Sequence, residues 1–279
     1  MTLDKKISSA IKLIRSIPQD GPIELCYSGG KDSDVILHLS KMAGVDVYPI
    51  YKQTSIDPPG TTQHAIEVGA RIIRPKLTFF QLVEKKGNPS RFKRFCCEYL
   101  KEYKVYDRAI VGIRKSESVK RSIRYKEPEI CRVYPKGDKV RQYLPILEWT
   151  DDDVKQFISD YDIKCAPVYY DKDGNFHVER RLGCIGCPLK CDNGLSDYVK
   201  YPKFLRAQIR AYQKYLDSHT TSNWYKKIGG SAINSFFYYL FCHSYEEYLQ
   251  LTSQKQLFDD QRIDPKSYME DYFGIKFEA

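Results

Sequence analysis

Residues 28–33, with the sequence Ser-Gly-Gly-Lys-Asp-Ser, constrain the fold of this chain more than any other segment. They follow an apolar run, residues 22–27, that is typical of a short buried strand, and they precede residues 34–42, whose apolar side chains recur at helical spacing. A strand that turns through glycines into a helix exposes backbone N–H groups at the positive end of that helix. The glycines remove side chains that would hold an anion away, and the lysine and serines add donors. The segment therefore predicts a phosphate or pyrophosphate site.

An ordinary strand–helix turn, in which the glycines relieve strain and serine or aspartate caps the helix, is the alternative interpretation. Four features that favour an anion coincide within these six residues, which makes the anion site the stronger hypothesis. The segment is not a Walker A loop, because the spacing G-x-x-x-x-G-K-S/T is absent from it.

Strand-like and helix-like segments alternate along the amino-terminal part of the chain. This order predicts parallel strands joined by right-handed crossovers, hence an α/β fold with a doubly wound parallel sheet. Ligands of such sheets lie beyond the carboxyl ends of the strands, where both residues 28–33 and a turn at Gly112 fall. The remaining predicted strands are residues 46–51, 71–73 and 109–113, and the predicted helices are residues 3–17, 61–69 and 79–85.

A further helix start is predicted at Thr150, which precedes three aspartates and is suited to cap a helix. Beyond Cys191 the alternation stops, and the sequence reads as helices rich in tyrosine and lysine. The most apolar of them, residues 233–242, is predicted to be buried. We therefore expect a nucleotide-binding domain over residues 1–190 and a helical carboxy-terminal region over residues 191–279.

Composition limits the class of protein. A hydrophobic content of 42% is enough for a proper core, and no run of 18 apolar residues or secretory leader is present in the sequence given. Nine cysteines, an odd number in a long chain, favour reduced thiols or metal ligands over a disulfide framework. The expectation is a cytoplasmic protein without membrane contact. A net charge of +9 favours polyanionic partners such as nucleotides or nucleic acid, although it also fits an ordinary solvated surface.

Two cysteine pairs form a candidate metal site. Cys96 and Cys97 are adjacent, and Cys184 and Cys187 form a C-x-x-C pair followed by proline. A C-x-x-C turn directs two thiolates at one metal, and four thiolates suit zinc or an iron–sulfur cluster. Separate buried thiols are the alternative, because isolated C-x-x-C pairs are common.

The other cysteines fall into two groups. Cys191 and Cys165 are further candidate ligands, whereas Cys26 and Cys131 lie in or beside apolar runs and are predicted to be core residues. Spacing alone does not bring the two pairs together.

Six ordered segments resemble the PAPS-reductase family of PP-loop enzymes, and residues 28–33 resemble the loop with which ATP pyrophosphatases hold the β,γ-pyrophosphate of ATP. The likeness runs from about residue 22 to residue 190. The matching segments are residues 28–33, 54–59, 94–101, 112–121, 145–150 and 183–188.

The resemblance implies functions for particular residues. The cysteine pattern is similar to that of adenylyl-sulfate reductases, which implies that Cys96, Cys97, Cys184 and Cys187 ligate a 4Fe–4S cluster, with zinc as the alternative. It implies bound ATP or adenylyl sulfate, and Mg²⁺ bridging the phosphates with help from Asp32. The implied catalytic residues are Lys31, Asp32, Lys101 and Arg114. The implied nucleotide-binding residues are Ser28, Gly29, Gly30, Lys31, Asp32, Ser33, Asp57, Gly112, Arg114 and Arg121. Ion pairing of the two arginines with Glu117 or Glu127 is the alternative for them.

The favoured function is ATP pyrophosphatase activity that cleaves the α–β bond and activates a substrate, such as nucleic acid, for sulfur transfer. Reduction of adenylyl sulfate or 3′-phosphoadenylyl sulfate to sulfite is the second hypothesis. The reductases end in a Glu-Cys-Gly-x-His tail that the sequence given does not contain, and Cys242, beside His243, is expected to be buried rather than nucleophilic. A non-catalytic subunit that binds nucleotide or nucleic acid is the third.

A basic stripe in the carboxy-terminal region fits a nucleic-acid substrate. Lys203, Arg206, Arg210 and Lys214 follow helical spacing, and Tyr201, Tyr212 and Tyr215 are expected nearby for stacking. A solvated helix face is the alternative. The expected partners are an adenine nucleotide, a nucleic-acid substrate, a cysteine desulfurase or other sulfur donor, and a second copy of the chain in a homo-oligomer.

Overall fold

The computed structural model describes residues 1–253 and 262–277. Its chain divides into two compact units. The first comprises Met1–Pro75 and Cys97–Gly183, and the second comprises Lys76–Cys96 and Cys184–Ala279. The domain boundary predicted at residue 190 remains a prediction. It lies close to Gly183, the last residue of the first unit.

A six-stranded sheet organises the first unit. The strands are β1 (Ile23–Tyr27), β2 (Tyr48–Lys52), β3 (Arg71–Ile73), β4 (Arg108–Ile110), β5 (Glu129–Val133) and β6 (Lys139–Tyr143). Their order is β3-β2-β1-β4-β6-β5, and every neighbouring pair is parallel except β5 with β6. The strand order changes direction between β1 and β4, which makes their carboxyl ends the topological switch point. The predicted α/β fold with a parallel sheet is confirmed.

Sequence patterns predicted the first four strands but not the last two. The β6 strand has only five residues, of which Lys139 and Arg141 are exposed while Val140 and Tyr143 are buried. Such a short alternating segment with two basic residues is a weak strand signal, yet β6 pairs in parallel with β4 inside the sheet. β5 returns antiparallel at the edge, and Cys131 on it is exposed. The prediction that Cys131 is a core residue was wrong, because an edge strand faces solvent.

Helices make up much of the remaining chain. Among the described residues they are α1 (Leu3–Arg15), α2 (Lys31–Ala43), α3 (Thr61–Glu67), α4 (Phe79–Lys86), α5 (Phe95–Leu100), α6 (Val119–Arg124), α7 (Asp151–Asp160), α8 (Leu195–Lys200), α9 (Pro202–Asp217), α10 (Asn223–Lys227), α11 (Ala232–Phe241), α12 (Tyr245–Ser253) and α13 (Pro265–Phe273). None of these helices combines the length and the apolarity that crossing a bilayer requires.

The core of the first unit forms where α1, α2 and α7 pack near β1. Ile14 of α1, Leu39 of α2 and Phe157 of α7 are fully buried there, and each contributes about 1.5–3 kcal/mol relative to an exposed side chain. The predicted cap of α7 is confirmed, since Thr150 forms a capping box with Asp153.

The second unit is helical in its described residues, as predicted for the carboxy-terminal region. Within it α9 packs against α4, α8 and α11, and α11 also packs against α13. The apolar helix predicted at residues 233–242 is α11. It is buried along one face only, because Phe236 and Phe237 are inside while Tyr239 is 45% exposed.

Candidate functional site

The loop between β1 and α2 has a backbone that requires glycine. Gly29 has a φ of +74°, and a Cβ atom there would lie 2.6 Å from Cγ2 of Thr61. Gly30 is the N-cap of α2, and the hydroxyl of Ser33 donates a hydrogen bond to its carbonyl oxygen at 2.6 Å. The first turn of a thirteen-residue helix therefore follows directly on the loop. Since the first N–H groups of a helix lack intrahelical acceptors, this turn is suited to hold an anion.

A cavity of about 460 Å³ lies at the switch point of the sheet. Residues that follow β1 and β4 line it, as expected for a ligand site of a parallel sheet. The cavity brings together nine of the residues implied by the resemblance: Ser28, Gly30, Lys31, Asp32, Ser33, Asp57, Lys101, Gly112 and Arg121. Gly29 and Arg114 are not among its lining residues.

Residues that sequence reasoning missed also line this cavity. Tyr169 and Arg181 are the chief ones, and Glu117, considered from the sequence only as an ion-pair partner, lines the cavity as well. The ring of Tyr169 lies 5.3 Å from Nζ of Lys31, and its burial raises the pKa of the phenol. An arginine doublet before the Gly183 turn was a usable signal for Arg181, whereas nothing in the spacing indicated Tyr169.

The charges on the described residues around the cavity are mixed, with one more cation than carboxylate. Lys31, Lys101, Arg121 and Arg181 line it, against the carboxylates of Asp32, Asp57 and Glu117. Arg121 forms an ion pair with Glu117, and Arg181 donates a hydrogen bond to the backbone oxygen of Glu117 at 2.7 Å. Arg121 therefore forms the ion pair that was considered as the alternative, and it also lines the cavity.

Arg114 is buried, with only 1% of its surface exposed. Each of its three guanidinium nitrogens has a protein partner: Nε donates to Asp32 at 2.7 Å, Nη1 to Ser116 at 3.0 Å and Nη2 to Asp151 at 2.8 Å. The contacts favour a positioning role, in which Arg114 fixes the Asp32 carboxylate at the cavity wall, over direct contact with a nucleotide.

Two other carboxylates stabilise the loops around the cavity. The oxygens of Asp57 accept hydrogen bonds from the backbone N–H of Thr54 at 2.8 Å and from its hydroxyl at 2.7 Å, which closes the turn after β2. On α2, Asp34 is buried and accepts from the hydroxyl of Tyr27, with Nε2 of His64 at 3.0 Å. Burial raises the pKa of the Asp34 carboxyl.

The four cysteines predicted to ligate a cluster are partly exposed thiols. Cys97 belongs to the first unit, whereas Cys96, Cys184 and Cys187 belong to the second. Within residues 1–253 and 262–277, no group of three or more His, Cys, Asp and Glu side chains is arranged so that it could hold a metal ion. The ligand set therefore remains a prediction.

The other cysteines differ in their surroundings. Cys165 is 2% exposed in the core of the first unit, and burial raises the pKa of its thiol, which makes it a poor thiolate donor. Cys191 is exposed. Cys242 is partly buried at the end of α11, and burial raises the pKa of its thiol to about 11.

The basic stripe lies on α9 of the second unit. Lys203, Arg210 and Lys214 are exposed and Arg206 is partly exposed, so the stripe forms a cationic face. Lys214 pairs with Glu84 at 2.8 Å. The expectation that Tyr212 is available for stacking was wrong: it is 5% exposed, because it faces the helix packing around Phe236. Tyr215 stacks on His219, with ring centroids 4.0 Å apart.

A mostly parallel α/β sheet with a glycine loop and a cavity at its switch point is the arrangement with which α/β proteins bind phosphate-bearing ligands. Residues 22–190 match the phosphoadenosine phosphosulfate reductase domain, and the chain belongs to this family of adenine-nucleotide enzymes.

The chain is also similar to two curated proteins and to a solved structure. The chain is 26% identical over 204 residues to sulfate adenylyltransferase subunit 2 of Psychromonas ingrahamii and 25% identical over 199 residues to the same subunit of Agrobacterium fabrum. These alignments cover 59% and 58% of this chain, and 66% and 62% of the relatives. The crystal structure of phosphoadenylyl-sulfate reductase from Candida auris is 16% identical with a TM-score of 0.43, covering 59% of this chain and 87% of that one. The chain thus spans just under two thirds of the length of the curated relatives.

Proposed function

We propose that this protein binds ATP in the 460 Å³ cavity, which we therefore call the nucleotide cavity. It would cleave the α–β phosphate bond of ATP and transfer AMP to an oxygen of an acceptor. The observation that carries the proposal is the convergence of the 28–33 loop with Lys101, Arg121 and Arg181 on one cavity. An enzyme that hydrolyses ATP at the γ-phosphate needs charge-stabilising groups only around the terminal phosphate. A cavity with cations beyond the loop suits charge developing at the α-phosphate.

The chemical step follows from these positions. An acceptor oxygen attacks the α-phosphorus, the bond from that phosphorus to the α–β bridging oxygen breaks, and pyrophosphate leaves with the bonding electron pair. The backbone of the 28–33 loop and Lys31 hold the pyrophosphate, while Lys101 and Arg121 stabilise the charge on the α-phosphate oxygens. The proton of the acceptor hydroxyl passes to solvent. Positioning of the two reactants supplies the rest of the rate enhancement.

A magnesium ion fits this arrangement through Asp32. One oxygen of its carboxylate accepts from Arg114, and the other, 3.6 Å from Nζ of Lys31, is on a side chain that lines the cavity. When bound, the ion neutralises phosphate charge. A single carboxylate together with phosphate oxygens is a common way for proteins to hold Mg²⁺.

We propose nucleic acid as the acceptor, activated for sulfur transfer. A hydrosulfide nucleophile would then attack the atom that bears the adenylylated oxygen, and AMP would leave with the electron pair of the broken bond to that oxygen. Support comes from the net charge of +9 and the basic face of α9. The relatives named sulfate adenylyltransferase suggest sulfate as a competing acceptor for the same adenylyl transfer, and their designation as subunit 2 raises the expectation of a partner subunit.

The cysteine ligands belong to this proposal but carry no step of it. Cys96, Cys97, Cys184 and Cys187 have the donor chemistry for an iron–sulfur cluster or zinc. Among the described residues, no group of three or more of these cysteines is arranged so that it could hold a metal ion. Anaerobic purification with iron, sulfide and zinc analysis tests it directly, and a cysteine desulfurase remains the proposed sulfur source.

Reduction of an adenylyl sulfate to sulfite is the second candidate, because the matched family is described as a reductase domain. The two functions give different products from different substrates. Sulfite released from an adenylyl sulfate in the presence of a thiol reductant identifies the reductase.

The deciding experiment follows pyrophosphate release from ATP and Mg²⁺ under anaerobic conditions, with single-stranded DNA, tRNA or sulfate as acceptor. We expect equal amounts of pyrophosphate and transferred AMP, and a loss of about 100-fold in kcat for Lys31→Ala, since it removes one charge-stabilising donor. Lys5→Ala, on the exposed face of α1, is the matched control and should turn over normally. Release of ADP and phosphate, or full activity of Lys31→Ala, contradicts the proposal.

A further inference from the structure

The second unit contains a cavity of its own, of about 310 Å³. We name it the aromatic cavity, and its defining residues are Asn88, Phe92, Tyr198, Gln208, Phe236 and Tyr239. All of them belong to the second unit. The volume is at the lower end of the range for small-ligand sites, which is about 300–1,000 Å³.

Aromatic rings form both the floor and the mouth of the aromatic cavity. Tyr198 and Phe236 are buried and meet edge to face, with centroids 6.1 Å apart. Phe92 is 100% exposed and Tyr239 is 45% exposed. A fully exposed phenylalanine beside an open cavity has unfavourable contact with water, and a stacked planar ligand would remove that cost.

A strip of amide groups crosses the apolar lining. Gln208, which is only 1% exposed, donates to Oδ1 of Asn88 at 2.7 Å and accepts from the hydroxyl of Tyr198 at 3.1 Å. Nδ2 of Asn88 donates to no residue that the structure describes, so its N–H groups are available at the wall. Amide side chains offer donors and acceptors in one plane, which matches the edge of a heterocyclic base.

The rim of the aromatic cavity is basic. Arg91 lines it, and none of the described residues that line it is acidic. In the sequence Phe92 directly follows Arg91, so the exposed ring and a cation stand next to each other at the rim. Positive side chains beside an exposed aromatic ring are the combination with which proteins hold single-stranded nucleic acid.

We propose that the aromatic cavity binds an unstacked nucleobase of a single-stranded nucleic acid, with the base on Phe92 and Tyr239, its edge on the amides of Asn88 and Gln208, and its phosphate on Arg91. The proposal rests on the nucleic-acid acceptor proposed above and adds a defined contact to it. A free mononucleotide presents the same base chemistry, and the experiment separates the two sources.

The test measures fluorescence anisotropy of a labelled single-stranded oligonucleotide, without ATP, with competition by unlabelled mononucleotides. Phe92→Ala and Tyr239→Ala should each weaken oligonucleotide binding about tenfold, as expected for loss of one stacked base. Tyr272→Ala removes a comparably exposed ring on α13 and should bind as the parent does. Oligonucleotides that carry 5-iodouracil should photo-crosslink to peptides containing residue 92 or 239.

Each outcome decides the proposal. If micromolar mononucleotides compete as effectively as the unlabelled oligonucleotide, the cavity binds a free nucleotide, and the proposal that it binds a single strand is overturned. The proposal is also overturned by wild-type affinity in both alanine variants, by crosslinks confined to other segments, or by the absence of any oligonucleotide binding. Because this assay contains no ATP, pyrophosphate release can succeed or fail independently of it.

Discussion

At the scale of single residues, two arginines that look equivalent in the sequence differ in their burial and in their hydrogen-bond partners. Arg114 and Arg121 lie seven positions apart in one matched segment, yet only Arg121 lines the nucleotide cavity. Arg114 is enclosed and bonds to Asp32, Ser116 and Asp151. Since a guanidinium has donors in a fixed fork, it can hold three partners at once, and no other side chain replaces it there.

Arg114→Lys should therefore destabilise the protein. Lysine keeps the charge but cannot reach three separated acceptors, so we expect a loss of ~2 kcal/mol in the free energy of unfolding. Urea denaturation measures it. Arg15→Lys is the control, because the exposed Arg15 side chain donates one hydrogen bond within the described part of the chain, to the backbone oxygen of Ala43. The cost of this substitution should stay within about 0.5 kcal/mol. Equal stability of the two variants would show that the Arg114 contacts contribute little.

At the scale of elements, the close approach of β4 and α2 shapes the nucleotide cavity. Gly112 follows β4, and a Cβ atom there would lie 2.9 Å from the backbone oxygen of Asp32. The first turn of α2 thus packs on bare backbone, and this contact sets the distance between the 28–33 loop and the turn after β4. The φ angle of Gly112 is not positive, so the close contact with Asp32, and not the backbone conformation, explains the glycine at this position.

Gly112→Ala should push these two elements apart. We expect strain of about 1–3 kcal/mol and an ATP affinity about tenfold lower, read by calorimetry. Gly21→Ala is a suitable control, because a Cβ atom at Gly21 would meet its nearest neighbour, Nη1 of Arg108, at an ordinary 3.5 Å. A Gly112→Ala protein that binds ATP as tightly as the Gly21→Ala protein would mean that the loop position is not set by this contact.

At the scale of the whole molecule, several of the basic residues that contribute to the net charge of +9 lie in a row on one helix. The basic face of α9 presents Lys203, Arg206, Arg210 and Lys214 along one helix. Cations in a row neutralise neighbouring phosphates and release their counterions, whereas scattered surface lysines act only through the long-range field.

Lys203→Glu should weaken oligonucleotide binding and reduce the slope of log K against log salt by about one. Lys5→Glu changes the net charge equally on α1 and should alter the affinity far less. Anisotropy titrations between low and physiological salt give both slopes. Identical slopes for the two variants would show that overall charge, and not the α9 face, governs binding.

The sequence by itself determined the local parts of this protein: the glycine loop between β1 and α2, the capped start of α7, the α/β alternation and the family. These depend on hydrogen bonds and spacings within a few residues, which the order of amino acids dictates. Only the tertiary structure decided that β6 joins the sheet beside β4, that Arg114 is buried among three partners while Tyr169 and Arg181 line the nucleotide cavity, and that aromatic and amide side chains from distant segments enclose a second cavity. Such contacts join residues far apart in the chain, and they arise from strand order and helix packing, for which a short alternating or basic segment gives no local signal.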